Sequence, residues 1–212
     1  CGCPVTKIRK KGAGSKLLEN PDLLFLLIKA IKKNSGNLPI SIKIRIGPDS
    51  KTAALRAQEA GVDFITIHGR HWTENYEVSC DLSRQEKMAE IIQALNIPVI
   101  ANGDAKDTPS ALSLLKNTGA QGLMISRASV GQPWLFEKIK KEAQGETFIP
   151  PTNFKIGQLF LEHIQGLISL EGEKIALLQS RKLIKYYARN IQNPDQNPDQ
   201  NSALNQIGRA HV

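Results

Sequence analysis

The sequence predicts an α/β protein built from βα units around a parallel sheet, and three observations carry that prediction. Four short apolar runs, ISIKIRI at 40–46, FITIHGR at 64–70, VIANGD at 99–104 and GLMISRA at 122–128, alternate with segments of helical period. Lys43, His68, Asn102 and Ser126, at the ends of these runs, recur at spacings of 25, 34 and 24 residues. Each run also closes on polar groups: Lys43 and Arg45, His68 and Arg70, Asn102 and Asp104, Ser126 and Arg127. Rhythm alone also fits a doubly wound sheet. Convergence of polar strand ends favours a TIM (β/α)8 barrel, whose strand carboxyl ends collect catalytic and ligand groups at one mouth. Such a barrel takes about 250 residues, and only four units are present. The expectation is the carboxy-terminal half of a barrel, truncated at the amino terminus, with the last two runs as its seventh and eighth strands.

The helices follow from their end signals. Asn20 caps a helix with Pro21 at its first position, apolar residues through Ile31 and Gly36 past its end. Ser50 is expected to cap KTAALRAQEA, which Gly61 stops, and Ser83 with Glu86 to form a capping box for a helix reaching about Leu95. Asp107 and Pro109 open the next helix, which ends near Gly119. The Gly and Pro residues of GQPWLFEKIKKEAQGETFIPPT, at 131–152, mark a linker. Two helical patterns near 153–170 and 173–190 then form a small all-α appendage.

These signals divide the chain into 1–143, the half barrel, 152–192, the helical domain, and 193–212, a polar tail. The tail, NPDQNPDQNSALNQIGRAHV, has almost nothing to bury and predicts disorder. Its last residues, IGRAHV, read as a translated sequencing adapter and are set aside.

The net charge of +8 is concentrated in two places. Lys7, Arg9, Lys10 and Lys11 crowd the opening segment. Lys174, Arg181, Lys182, Lys185 and Arg189 fall within a helical stripe about 100° wide, opposite Ile175, Leu183 and Tyr187. Clustered cations on an otherwise balanced body point to a polyanionic partner. The longest apolar run, PDLLFLLIKAI, is interrupted by Lys29 and is too short to cross a bilayer, and no leader opens the chain. Three cysteines, Cys1, Cys3 and Cys80, suit neither a disulfide framework nor a four-ligand zinc site. The expectation is a cytoplasmic monomer with no membrane or metal partner.

Five motifs in order, GCPVTKIRKKGAGSKLL, SIKIRIG, ITIHGRHWTENY, PVIANGD and GLMISRASVGQPWLF, resemble those of the tRNA-dihydrouridine synthases, over about residues 1–140. QSRKLIKYYAR more weakly resembles the family's carboxy-terminal helical domain. The resemblance implies an FMN-dependent barrel oxidoreductase that reduces the 5,6 double bond of uridines in tRNA. NADPH would reduce FMN, flavin N5 would pass hydride to carbon 6, and a cysteine, here Cys3, would protonate carbon 5. A thiol with the ordinary pKa of about 8.5 stays mostly protonated at neutral pH yet can release a proton to a developing carbanion. Pro4 and Gly2 would fix the turn that carries it.

The same resemblance places Lys43 near the flavin edge, His68 against the ring or the substrate base, and Asn102, Gly103 and Asp104 along the ribityl chain and phosphate. Ser126 and Arg127 match the family's Gly-Arg phosphate pair, with serine in place of glycine. Arg70 and Tyr76 would hold the flipped uridine, while His71-Trp72 stands where many relatives carry Thr-Arg. Lys10, Lys11, Arg181, Lys182 and Lys185 would contact the tRNA backbone, and RKKGAG would form a loop over the site, hinged at Gly12 and Gly14. Two other readings stay open. A flavin-dependent dehydrogenase of free pyrimidines is opposed by the two basic patches. An inactive half-barrel RNA-binding fragment is kept open by unpaired strand edges.

Overall fold

The computed structural model describes residues 1–192, so the tail expected at 193–212 lies outside the described residues. The chain divides into two compact units, Cys1–Ala128 and the segment from Ser129 onward. In chain order the first unit runs α1 (Thr6–Arg9), a 3-10 turn at Gly14–Glu19, α2 (Pro21–Asn34), β1 (Ser41–Arg45), α3 (Ser50–Ala60), β2 (Phe64–His68), α4 (Leu82–Ile92), β3 (Val99–Asn102), α5 (Thr108–Thr118) and β4 (Gly122–Met124). A 3-10 turn at Arg127–Ser129 follows, then α6 (Leu135–Ala143), α7 (Asn153–Glu171) and α8 (Glu173–Ala188).

All four strands are parallel and pair in the order β1-β2-β3-β4. Right-handed crossovers between sequential parallel strands put the intervening helices on one face. Alternation along each strand then sorts the side chains. Ile42, Ile44, Ile65, Ile67, Val99 and Ala101 bury against the helices, which contribute Leu24, Ile28, Met88 and Leu114. The four buried alanines of α3, Ala53, Ala54, Ala57 and Ala60, let that helix approach closely. Lys43, Arg45, Thr66, His68 and Asn102 take the opposite face. Register aligns them, since Arg45 pairs with His68 and His68 with Asn102. The sequence therefore places a row of polar groups across the strand ends.

Several helix ends follow the expected signals and others do not. Asn20 caps α2 through the Leu23 N–H at 3.0 Å, with Pro21 at the first position. Asp107 caps α5 in a reciprocal box with Ser110, and Gly119 closes it in the left-handed conformation. Ser50, however, is the first residue of α3 behind Asp49, and its hydroxyl closes a local loop, accepting from Gly47 N–H at 3.1 Å and donating to Gly47 O at 2.6 Å. At α4 the cap is Asp81, which accepts from Arg84 N–H at 3.1 Å, so the Ser83–Glu86 box does not form and the helix ends at Ile92. The expected linker contains α6, whose LFEKIKKEA carries i,i+4 Glu137–Lys141 and Lys138–Glu142 pairs.

In the second unit, Ala176 and Tyr187 are the buried residues of α8. Ile175 lies beside the basic stripe rather than across from it and remains exposed. Among the described residues no helix is long and apolar enough to cross a membrane.

The Asp107 box offers a direct check on the local reading. Asp107→Ala should lower stability by about 1 kcal/mol, seen as a lower urea midpoint with an unchanged slope. An unchanged midpoint would contradict the capping assignment.

Candidate functional site

The site is assembled at the carboxyl ends of the strands, and one carboxylate organises it. Asp104 follows Gly103 and adopts a left-handed backbone, φ +52°, a conformation that aspartate tolerates better than most residues. This turn directs its carboxylate at three donors. Arg70 Nη2 reaches Oδ1 and Oδ2 at 2.7 and 2.6 Å, the Cys80 N–H reaches Oδ2 at 2.8 Å, and Arg127 Nη2 reaches Oδ1 at 3.0 Å. Burial would raise the Asp104 pKa, but these hydrogen bonds and the neighbouring cations hold it below the ordinary carboxylate value.

Arg70 is almost completely buried, 2% exposed. Besides Asp104, its Nε donates to Val78 O at 2.6 Å and its Nη1 to His68 Nε2 at 3.2 Å. Arg70, expected to hold a substrate base, has protein partners on all three guanidinium nitrogens. Tyr76, by contrast, is 60% exposed at the rim. Its ring lies 4.4 Å from the Arg127 guanidinium and 5.9 Å from that of Arg70, which fits stacking by cations on an aromatic face.

Cys80 explains two glycines. It is buried, its pKa pushed up to about 11 chiefly by burial. A side chain at Gly69 would come within 2.2 Å of its sulfur, and one at Gly103 within 2.8 Å. The loops after β2 and β3 thus close on a single thiol, and only glycines fit there.

Asn102 locks the neighbouring strand ends, its Nδ2 donating to Met124 O at 2.8 Å and lying 3.5 Å from Ser126 Oγ. Lys43 on β1 is part-buried, and its ammonium makes no ion pair with a described residue. Burial, then repulsion from Arg45, lowers its pKa to about 8. His68 is 6% exposed, and burial followed by the charges of Lys43, Arg45 and Arg70 lowers its pKa to about 3, against the upward pull of Asp104. It is therefore neutral at physiological pH.

The turn carrying Cys3 is pinned from three sides. Cys3 is exposed, and its carbonyl accepts from Ser15 N–H at 2.9 Å. Gly14, at φ +62°, packs so closely that a side chain there would meet Cys3 O at 2.6 Å. A glycine is what this contact beneath the cysteine requires. Arg45, a residue that motif reasoning left out of the site, donates from Nε to Gly2 O at 2.9 Å and from Nη1 to His71 O at 3.0 Å. It joins the Cys3 turn to the loop after β2, and its place beside Lys43 in SIKIRIG was the available signal.

The basic patches divide into free and engaged cations. Lys7, Lys10 and Lys11 are exposed. Arg9 is engaged: it pairs with Glu19 at 2.5 Å, donates to Ser15 Oγ at 2.9 Å and lies 3.4 Å above the Trp72 ring. Trp72 thus contacts the opening segment. In the second unit Lys174, Arg181, Lys182 and Lys185 are exposed on α8 and Arg189 at its C-terminal cap, with Lys185 and Arg189 over the Tyr186 ring at 5.1 and 5.3 Å. Among the described residues no group of three His, Cys, Asp or Glu side chains is arranged to hold a metal.

Chemically, the strand-end face sets Lys43, Arg45, Arg70 and Arg127 around the carboxylate of Asp104, beside an exposed thiol. Such a surface favours an anionic ligand. Lys43 gives a measurable sign. Because its folded pKa, about 8, lies below the free value, the unfolded chain binds more protons between there and about 10.5, and stability rises with pH across that window. Lys43→Met should therefore raise the urea midpoint of the ligand-free protein at pH 7, with the gain shrinking above pH 8. A lower midpoint at pH 7 would contradict an uncompensated ammonium.

The family described as Dihydrouridine synthase (Dus) matches residues 1–210. The chain is similar to the probable tRNA-dihydrouridine synthase 1 of Synechocystis sp., 36% identical over 195 residues that cover 89% of this chain and 54% of that protein. It is likewise similar to tRNA-dihydrouridine synthase B of Pectobacterium carotovorum, 33% identical over 209 residues, and of Yersinia pestis, 36% identical over 211, each covering 96% of this chain and 64% of the relative. The chain thus spans between about half and two thirds of the length of these relatives. Extended over nearly its whole length, this match means that the chain belongs to the dihydrouridine synthase family.

Proposed function

We propose that the protein carrying this chain is a flavin-dependent oxidoreductase, a tRNA-dihydrouridine synthase, and that the four βα units form one half of its (β/α)8 barrel. The observation that carries the reading is an exposed thiol, Cys3, held on a pinned turn beside a cation-rich strand-end face, in a chain of this family. FMN fits that face. The part-buried Lys43 ammonium has no anionic partner among the described residues, and Arg127, with Asn102, Gly103, Asp104 and Ser126, lines the loops where its phosphate would sit. When bound, FMN reduced by NADPH supplies a hydride to carbon 6 of uracil.

The chain's own groups do the rest. Lys43 and Arg127 meet negative charge, His68 offers a neutral ring, and Asn102 keeps the β3 and β4 ends together. The Cys3 thiol gives its proton to carbon 5, so that one hydride and one proton saturate the double bond and leave a thiolate to be reprotonated from solvent. Arg45, Gly14 and Ser15 hold the turn in place for that transfer. Tyr76, exposed and stacked by Arg127, offers a face for a base drawn out of the RNA. Lys10 and Lys11, with Arg181, Lys182 and Lys185 of the helical unit, supply phosphate contacts for tRNA. The two patches favour tRNA over a free pyrimidine, which needs no such charge. The proposed compartment is the cytoplasm.

The full-length protein tests the reading. It should be yellow with bound flavin, and it should restore dihydrouridine to tRNA from a strain lacking the gene. Absence of both flavin and product would overturn the proposal. In Cys3→Ala, NADPH should still bleach the flavin while uridine reduction falls by at least 100-fold, in keeping with the roughly 10²–10⁴-fold contribution of a positioned proton donor. Undiminished product formation would remove Cys3 as the acid.

A further inference from the structure

The contact between Arg70 and His68 has a consequence for what the site can recognise. A guanidinium donates hydrogen bonds and accepts none. With Arg70 Nη1 3.2 Å from His68 Nε2, that nitrogen must be the acceptor, and a neutral ring then carries its proton on Nδ1. Arg70 is not free to turn away. Its other nitrogens are held by Val78 O and by both oxygens of Asp104, and the side chain is 2% exposed. Of the ring's two nitrogens, Nδ1 has no protein hydrogen-bond partner among the described residues, and no buried side-chain polar atom is left unpartnered. Nδ1 therefore faces the open side of the strand ends.

We infer that Arg70 is a positioning residue that locks His68 as the neutral Nδ1–H tautomer, so that His68 presents only a donor, suited to a carbonyl oxygen and not to an amino group. The groups facing the ring support the lock. Lys43, Arg45 and Arg70 oppose a second proton, and Asp104 is committed to Arg70 and Arg127. A histidine free to exchange tautomers could accept from the exocyclic amino group of a cytosine as readily as it donates to the carbonyl of a uracil. Held by Arg70, it can do only the second. Flavin and uracil both offer carbonyl oxygens, and that shared chemistry is what the site selects. The substrate side of the inference rests on the proposed function, whereas the tautomer does not.

The lock is read by long-range ¹H–¹⁵N correlation on the full-length protein labelled with ¹⁵N-histidine, His68 being assigned by its loss in His68→Gln. The wild type should have Nδ1 protonated and Nε2 bare, unchanged down to pH 5. A proton on Nε2, or an imidazolium at pH 5, would overturn the inference whatever the activity. Arg70→Lys keeps the charge but loses the planar fork, and should give mixed tautomers or a ring that titrates. An unaltered Nδ1–H ring in folded Arg70→Lys would show that Arg70 does not set the tautomer. If that variant fails to fold, the wild-type spectrum decides alone. Weakened flavin binding in Arg70→Lys would identify a flavin carbonyl as the acceptor, and a raised KM for tRNA with flavin retained a uracil carbonyl. No change in either would remove the functional consequence.

Discussion

The pairing of Arg70 with Asp104 is the interaction on which the strand-end face depends. A buried guanidinium is tolerable only when its donors are matched, and Asp104 matches it with both oxygens while also binding the Cys80 N–H and Arg127. Through Arg70 the carboxylate reaches the His68 ring. Through Cys80 it draws the loop after β2 onto the loop after β3, where the thiol fills the space left by Gly69 and Gly103. Remove the carboxylate, and Arg70 and Arg127 lose the partner they share.

The parallel register makes this convergence possible. Arg45, His68 and Asn102 share a row because each strand advances in step with the next, and the pleat sends the alternate isoleucines into the helix layer. The same alternation leaves Arg45 to reach back to Gly2 O and across to His71 O. A core-forming pattern and a site-forming pattern are thus two phases of one periodicity. The turn carrying Cys3, far ahead in the chain, is held by Arg45, Gly14 and Ser15.

Much of this was legible in the residues, and the gaps have physical causes. Alternating apolar runs and helical segments identified all four strands, and Asn20 and Asp107 announced their helices because side-chain caps act over three residues. Asp81 was passed over for Ser83 because both fit a cap two positions apart, and only the backbone chooses. Helix α6 was hidden by Gly and Pro on either side, although its own Glu–Lys pairs support it. Arg70 read as a group open to substrate because its partner, Asp104, lies on the next strand's loop. Arg9 read as a free cation for the same reason, its Glu19 and Trp72 partners being visible only in three dimensions. Charge at a strand end is evident from sequence, whereas the partner that neutralises it is not.

The claim that Arg70–Asp104 organises the face is tested most directly by a double-mutant cycle in urea, using Arg70→Met, Asp104→Asn and the double variant. The account predicts a coupling above about 2 kcal/mol, in line with a largely buried charge pair whose partner is costly to strand. A coupling below about 1 kcal/mol, the range of exposed surface pairs, would contradict it.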